Sequence, residues 1–169
     1  MDSQGETVVR NLKAPGPVAA AMRFRAEDVV RATPDETLDW WTDLREDDAG
    51  AVMPPLRKRT IVRRTATEIE TDDRWSIFGI PMRTQATLRP VPPNGWEVTS
   101  RLRGGTAKDV VHLSPAPGGT RVTMELDLEL RWPWSWMASA LRVPLAKLFQ
   151  ADLVAVNRRL EQSQAGHRP

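Results

Sequence analysis

The segment from residue 120 to residue 131 constrains the fold more than any other part of the chain, because apolar and polar side chains alternate along it without a break. Its apolar positions are Val122, Met124, Leu126, Leu128 and Leu130. A period of two is that of a β-strand with one dry face and one wet face. A sheet built from such strands needs a second element to cover its dry face.

One predicted helix is long enough to provide that cover. Between about residues 136 and 162, large apolar side chains recur at steps of three and four, which predicts an amphipathic helix roughly 40 Å long. The apolar stripe consists of Leu141, Leu145, Leu148, Phe149, Leu153, Val156 and Leu160. Pro144 lies inside this segment and predicts a kink or a restart of the helix there.

The rest of the chain adds one short helix and several strands. Residues 22–32 predict a first strand, and Thr33, Pro34 and Glu36 then provide the cap, first-turn proline and capping-box acid of a helix start. Further strands are predicted at 57–70, 74–79, 82–89, 96–103 and 106–114. The order predicts an α+β domain in which a curved antiparallel sheet of about seven strands wraps a long C-terminal helix.

Length and hydropathy set the domain organisation. The chain of 169 residues fits one domain, which we expect over 21–162 after a flexible leader at 1–20 and before a disordered tail at 163–169. No apolar run of about 18 residues is present, and the first residues lack the basic start and apolar stretch of a secretion signal. We therefore expect a cytoplasmic protein without a transmembrane segment.

The composition excludes several kinds of site. Cysteine is absent, and there are only two histidines, so we expect no cofactor and no metal. Lys plus Arg is 24 against 22 for Asp plus Glu, a net charge of +2, which argues against a nucleic-acid partner. The basic run between Arg57 and Arg64 favours a solvated, salt-bridged face. An arginine of this run turned inward toward a ligand carboxylate is the alternative.

Three segments resemble a known family. They are residues 29–36 leading into Trp40-Trp41, the hairpin from Leu113 to Thr123, and the closing stretch from Asn157 to Glu161. On these the chain resembles the START and birch-pollen-allergen-like superfamily, also called SRPBCC, whose bacterial members include polyketide cyclase/dehydrase and lipid-transport types. The resemblance implies a helix-grip fold with an apolar cavity between the sheet and the C-terminal helix. Members bind sterols, lipids, quinones, plant hormones or polyketides, and some are enzymes.

The leading hypothesis is therefore a binding protein for an apolar small molecule of the polyketide, lipid or quinone class. We expect a cavity larger than about 300 Å³. The predicted ligand-binding residues are Trp75, Met82, Thr84, Trp96, Val98, Ser100, Val111, Leu113, Met124, Leu126, Leu128, Leu141, Leu145, Leu148 and Phe149. The alternatives are a cyclase/dehydratase-type enzyme and a regulatory module that docks on a protein or a membrane. The protein is expected to be a monomer or a homodimer.

Two residues of one strand are candidates for acid–base chemistry. If the apolar side chains of 120–131 face inward, the paired strand points Asp109 inward and His112 outward. Burial would raise the pKa of the Asp109 carboxyl, so that this residue becomes the catalytic candidate, with His112 less favoured. Asp109 at a wet rim, or paired with an arginine, is the structural alternative. Thr84, Ser100 and an arginine are the further polar candidates.

A cluster of tryptophans stands where the last strand gives way to the long helix, in the sequence Trp132-Pro133-Trp134-Ser135-Trp136. Indoles are mostly buried in proteins, which favours Trp132 and Trp136 as caps on the end of the core. The functional alternatives are a gate over the cavity mouth and a patch that contacts a membrane interface, where tryptophan is favoured.

Overall fold

The computed structural model describes residues 10–12, 20–46, 49, 55–132 and 134–165. The predictions for residues 1–9, 13–19 and 166–169 lie outside the described residues. A 3₁₀ turn at Trp134–Met137 precedes the second helix. The elements are β1 (Arg10–Leu12), β2 (Ala20–Val30), α1 (Pro34–Thr42), β3 (Leu56–Arg64), β4 (Ile69–Ile77), β5 (Ile80–Pro90), β6 (Gly95–Leu102), β7 (Gly105–Ala116), β8 (Gly119–Leu130) and α2 (Ala138–Ala165).

The described strands form one curved antiparallel sheet in the order β1-β2-β8-β7-β6-β5-β4-β3. This confirms the predicted α+β helix-grip architecture, with the short helix α1 after β2 and the long helix α2 at the C-terminal end. The sheet has one strand more than the predicted seven or so. The addition is β1, which lies within the segment 1–20 assigned to a leader and pairs with β2 through Asn11 and Met22.

The predicted strand over 57–70 is wrong in its length, because it contains a turn. The strand β3 ends at Arg64, and β4 begins at Ile69. Between them the Thr65 hydroxyl accepts hydrogen bonds from the backbone N–H groups of Thr67 and Glu68, at 3.3 and 3.0 Å. Because a threonine side chain organises this turn, it has neither the glycine nor the proline that marks a turn in a sequence.

The start of α1 matches the predicted capping box. The Glu36 backbone N–H donates to the Thr33 hydroxyl at 3.3 Å, and the Thr33 backbone N–H donates to the Glu36 carboxylate at 2.8 Å. Pro34 is the first helical residue, where its missing N–H costs nothing. These contacts fix the direction in which α1 leaves β2 and crosses toward the dry face of the sheet.

The long helix α2 packs on β2. The rings of Phe24 and Phe149 lie 6.5 Å apart, and the Gln150 amide donates to the backbone carbonyl of Glu27 at 3.2 Å. Residues of α2 that are buried in the core are Ala138, Ala146, Phe149, Leu153, Val156 and Leu160. The helix runs through Pro144 without a restart.

In the described part of the chain, no helix combines the length and apolarity needed to cross a bilayer. The cytoplasmic location and the monomeric or dimeric state expected from the sequence stay predictions.

Candidate ligand cavity

A small cavity lies under the dry face of strands β3 to β8, beside the end of α1. Its volume is about 120 Å³. The apolar lining consists of Trp41, Leu44, Ile69, Trp75, Ala86, Leu88, Trp96, Val98 and Met124. The polar lining consists of Arg59, Thr71, Asp73, Thr84, Ser100 and Asp109. Most of the wall is apolar, and the polar groups come from five neighbouring strands.

The cavity corrects the size expected from the sequence. Ligand pockets usually have a volume of about 300 Å³ or more, and 120 Å³ is well below that range. A water molecule occupies about 30 Å³ in the liquid, so the space corresponds to a few waters or one small ring. A larger guest therefore requires side chains of the lining to move.

One arginine of the basic run is turned inward. Arg59 is 7% exposed and forms a salt bridge with Asp73, at 2.8 Å between its Nη2 and the Asp73 Oδ2. Its Nε lies 3.1 Å from the other carboxylate oxygen, so the contact is bidentate. The two residues face each other across the β3–β4 pair. Their buried position places both a guanidinium and a carboxylate in the cavity wall.

Asp109 is the second carboxylate of the cavity. Its side chain is half-buried and lines the cavity, as the register predicts, and it makes no hydrogen bond or ion pair with the residues that the structure describes. Burial raises the pKa of the Asp109 carboxyl to about 7, from an ordinary value of 3.8. The carboxyl can therefore hold or release a proton near neutral pH. Of the two alternatives that the sequence left open, an arginine partner is not found among the described residues, and a position at a wet rim stays open.

His112 lies on the other face of the same strand. It is exposed, opposite Gly95 on β6 and Thr123 on β8. Three residues along a strand reverse the direction of a side chain, which separates His112 from Asp109. The structure therefore leaves Asp109 as the titratable residue of β7 that reaches the cavity.

The side of the cavity next to α1 is closed by Trp41. Its ring lies 5.2 Å from the ring of Trp96, and its indole N–H donates to the Asn157 side-chain oxygen at 3.3 Å. Asn157 in turn donates to Asp28 at 3.0 Å. Trp41 thus connects the cavity wall to α2 and β2 through a short chain of polar contacts.

The predicted ligand-binding residues divide into groups. Those that line the cavity are Trp75, Thr84, Trp96, Val98, Ser100 and Met124. Those that pack elsewhere in the sheet are Met82, Val111, Leu113, Leu126 and Leu128. On α2, Phe149 is buried, while Leu145 and Leu148 are half-buried outside the cavity lining. The Leu141 side chain lies outside the described residues, and a role of any of these side chains in binding stays a prediction.

Sequence reasoning missed the polar pair and the α1 side of the cavity. Thr71 and Asp73 lie on β4, between the predicted strands over 57–70 and 74–79, so the prediction placed neither of them on a strand. Arg59 belongs to a basic run for which the sequence favours a solvated face, with an arginine turned inward as the alternative. Trp41 lies in α1 and Leu44 just after it, and the sequence alone does not locate that helix over the sheet. Within the described residues, no three histidine, aspartate or glutamate side chains are grouped as metal ligands would be.

The tryptophan segment does not cap the core. Trp132 is 75% exposed and Trp136 is 74% exposed, so the core position expected for these two indoles is wrong. Trp134 is exposed to a smaller extent and rests on the turn between β6 and β7. A Cβ atom at Gly104 would lie 2.1 Å from the Trp134 ring, and Gly104 also has a φ of +104°. Glycine is required there by both the backbone and the indole.

No family model and no curated protein matches this chain. Solved structures do match it. An aromatase/cyclase from Streptomyces sp. R1128 has a TM-score of 0.70 at 13% identity, with 88% of this chain and 96% of that chain covered. A STAR-related lipid transfer protein from Xanthomonas axonopodis has a TM-score of 0.64 at 18% identity, with 95% and 96% covered. A protein from Thermus thermophilus has a TM-score of 0.70 at 19% identity, with 86% and 99% covered.

These similarities extend over nearly the full length of each matched structure. Together with the sheet order and the two helices, they define the fold of this chain as the START-like, or SRPBCC-like, helix-grip fold. At these identities the likeness concerns the fold, and what the site does has to be argued from its own residues.

Proposed function

We propose that this protein binds an apolar small molecule that carries a polar group, with the apolar part against Leu88, Trp96 and Val98 and the polar group near Asp109. The proposal follows from the composition of the cavity wall, which is mostly apolar with a few converging polar side chains. Cavities of that kind are the usual sites for small ligands. The ligand classes in view are polyketides, lipids and quinones.

The observation that carries the proposal is the isolated carboxyl of Asp109. A polar group that is partly removed from water and has no partner lowers stability, and most buried polar groups in proteins are satisfied. Arg59 and Asp73 already form a salt bridge with each other. A ligand hydroxyl or carbonyl next to a protonated Asp109 would supply the hydrogen bond that the described residues do not. We infer that the polar part of the guest binds at this point.

The small volume of the cavity indicates how a larger ligand would enter. The indole of Trp41 separates the cavity from α2, and it is held by one hydrogen bond of 3.3 Å and by contact with Trp96. A rotation of this side chain would enlarge the cavity on the side that faces α2. Two of the matched structures are described as an aromatase/cyclase and as a STAR-related lipid transfer protein, which supports an apolar guest.

Native mass spectrometry of the purified full chain tests the proposal. We expect a bound small molecule, seen as added mass, in the wild type and in Gln85→Leu. Ala86→Leu fills the cavity and should abolish the added mass. Gln85→Leu is the matched control, because Gln85 is exposed on the other face of the same strand. The absence of added mass from the wild type, together with no saturable binding of any apolar probe, would contradict the proposal.

A second candidate is an acid–base enzyme of the cyclase/dehydratase type, favoured by the raised pKa of Asp109. A carboxyl with a pKa of about 7 is poised near neutral pH to exchange a proton. In a dehydration, Asp109 would accept a proton from a C–H group beside a ligand carbonyl and pass it to the departing hydroxyl, which leaves as water. Arg59, Thr84 and Ser100 would provide hydrogen bonds to the ligand oxygens.

Asp109→Asn separates the two candidates, because asparagine keeps the shape of the side chain but cannot exchange a proton. An enzyme should lose turnover of an aromatic polyketide intermediate by about 100-fold or more, while a pure binding protein should keep its ligand. His112→Asn on the outer face is the matched control and should change neither property. Unchanged turnover in Asp109→Asn would remove this residue from the chemistry.

A further inference from the structure

The exposed apolar side chains of this protein collect at one end of the sheet. The antiparallel order places the β4–β5 turn, the β6–β7 turn, the end of β8 and the start of α2 at the same end. Most of the large apolar residues that are exposed lie in these segments: Phe78, Ile80, Trp132, Trp134, Trp136 and Val143. We call this surface the aromatic end. Its apolar side chains belong to two separate segments, 78–80 and 132–143, that only the fold brings together.

The tryptophans of the aromatic end are held in place. Trp134 lies against Gly104, in the turn between β6 and β7. The backbone N–H of Arg131 donates to the Gly104 carbonyl at 2.7 Å, and that of Trp134 donates to the Arg131 carbonyl at 2.8 Å. These bonds fix the start of the 3₁₀ turn, so that Trp132 and Trp136 project to the solvent from an ordered backbone. Two indoles exposed by about three quarters leave a large apolar surface uncovered.

The charges at this end are almost all positive. The segments 55–58, 74–83, 101–106 and 129–143 contain the basic residues Arg57, Lys58, Arg74, Arg83, Arg101, Arg103, Arg131 and Arg142. Glu129 is the acidic residue of these segments, and Arg83 is paired with Asp72, which lies just outside them. At the other end of the sheet, acidic side chains such as Asp43 and Glu68 are paired with arginines, among them Arg45, Arg63 and Arg89. The excess of basic over acidic residues in these four segments is therefore larger than the net charge of +2 of the whole chain.

A surface depression with a volume of about 490 Å³ adds to this picture. It lies at the ends of β6 and β8 and is lined by Arg101, Leu102, Gly104, Gly105, Thr106 and Arg131. Neither Arg101 nor Arg131 makes a side-chain ion pair with the described residues. Two guanidinium groups around an open space suit a phosphate ester, which arginine binds through paired N–H groups.

We propose that the aromatic end is a docking surface for an anionic phospholipid bilayer. Indoles are favoured at the boundary between headgroups and acyl chains, and basic residues next to them gain from the negative surface of the membrane. The exposed apolar side chains and the basic residues lie at the same end of the sheet, as peripheral attachment to a membrane requires. The proposal goes beyond ligand binding and does not depend on what the cavity holds. Trp75 leads from the β4–β5 turn into the cavity, so a bilayer at this end would stand near the site.

Vesicle co-sedimentation of the full chain tests this proposal. We expect the wild type to sediment with vesicles of phosphatidylcholine and phosphatidylglycerol in equal amounts, and not with vesicles of phosphatidylcholine alone. The double variant Trp132→Ala/Trp136→Ala should bind the mixed vesicles at least about tenfold more weakly than the wild type, because both indoles leave the interface. Arg101→Gln/Arg131→Gln should lose about fivefold for each arginine. Added salt should also weaken the binding of the wild type to the mixed vesicles.

Matched controls lie elsewhere on the surface. Val62→Ala removes an apolar side chain that is 63% exposed on β3, away from this end. Arg158→Gln/Arg159→Gln removes two exposed arginines near the far end of α2. Both variants should bind as the wild type does. All the changed side chains are exposed or line the surface depression, and thermal unfolding of each variant verifies that it folds.

Tryptophan fluorescence gives a second measurement. Contact with the mixed vesicles should shift the emission of the wild type to the blue, and the shift should be lost in Trp132→Ala/Trp136→Ala. Equal binding by this double variant, or no binding of the wild type at low salt, would overturn the proposal. Self-association or capture of a protein partner that depends on the same indoles, without vesicle binding, would also overturn it.

Discussion

The two faces of the sheet carry similar charged residues in opposite environments. On the outer face, Lys108 contacts Glu97 at 2.8 Å and Arg83 contacts Asp72, with the basic side chains 50% and 65% exposed. On the inner face, Arg59 and Asp73 form a salt bridge with exposures of 7% and 3%. One residue along β4, from Asp72 to Asp73, separates a pair in solvent from a pair in the cavity wall.

The difference teaches that position on the strand, more than residue type, determines what a charge does here. An exposed pair gains little because water screens it, and the loss of one partner leaves a solvated charge. A buried pair has been removed from water, and the loss of one partner leaves a charge that nothing nearby satisfies. Asp109 already stands on the inner face without a partner, and its carboxyl responds with a raised pKa.

The largest effect is expected from Asp73→Ala. Removal of this carboxylate leaves the Arg59 guanidinium in the cavity wall without its bidentate acceptor, and we expect the free energy of unfolding to fall by about 3–5 kcal/mol. Asp72→Ala, at the next position on the outer face, should cause a much smaller loss. Urea unfolding of both variants measures the difference. Equal losses in the two variants would contradict the difference between the buried pair on the inner face and the exposed pair on the outer face.

The pH dependence of stability sharpens the comparison next. Because the pKa of Asp109 is about 7 in the folded protein and 3.8 ordinarily, the folded state holds an extra proton between these values. Stability therefore falls as the pH rises from about 4 to about 7, by at most on the order of 4 kcal/mol. Asp109→Asn should remove this fall and be more stable than the wild type above pH 7.

Asp152 on α2 provides the control for that measurement. Burial raises the pKa of its carboxyl to about 6, so it acts in the same direction over a narrower range of pH. Asp152→Asn should make the free energy of unfolding fall less steeply between about pH 4 and about pH 6. The part of the fall that Asp109 causes should stay in place. Urea unfolding at a series of pH values follows all three proteins. A wild-type curve that rises from pH 4 to pH 7 would contradict the assignment of Asp109.

A smaller effect is expected from the indole of Trp75. Its N–H donates to the Thr84 hydroxyl at 2.8 Å across the inner face. Trp75→Phe should lower the free energy of unfolding by about 1 kcal/mol through this hydrogen bond, in addition to any loss of packing. Trp132→Phe, which changes an indole that is 75% exposed, should leave stability unaltered. Thermal denaturation followed by circular dichroism compares the two.

The sequence predicted the architecture because its longest patterns are also its most regular. The alternation that ends at Leu130 and the stripe on α2 require each other, and the capping box at Thr33 specifies where α1 begins. The inward direction of Asp109 followed from the same alternation, carried to the neighbouring strand by the pairing of Asp109 with Leu126. Local periodicity was sufficient for these features.

The cavity could not be predicted in the same way. Arg59 and Asp73 meet only because of the register between β3 and β4, and the turn that sets this register contains no glycine or proline. The position of Trp41 depends on how α1 crosses the sheet, and the volume of the cavity depends on the packing of side chains from seven elements, α1 and β3 to β8. Trp132 and Trp136 are exposed, although indoles are generally buried, so a prediction based on residue type placed them wrongly in the core.

The most direct test of the central claim is the titration of the Asp109 carboxyl carbon by NMR. If the inner face holds an isolated, desolvated carboxyl, the Asp109 resonance should titrate near pH 7, and Asp72 on the outer face should titrate below its ordinary value of 3.8, because Arg83 donates to it. An Asp109 resonance that titrates near pH 4 would show a solvated carboxyl and contradict the account.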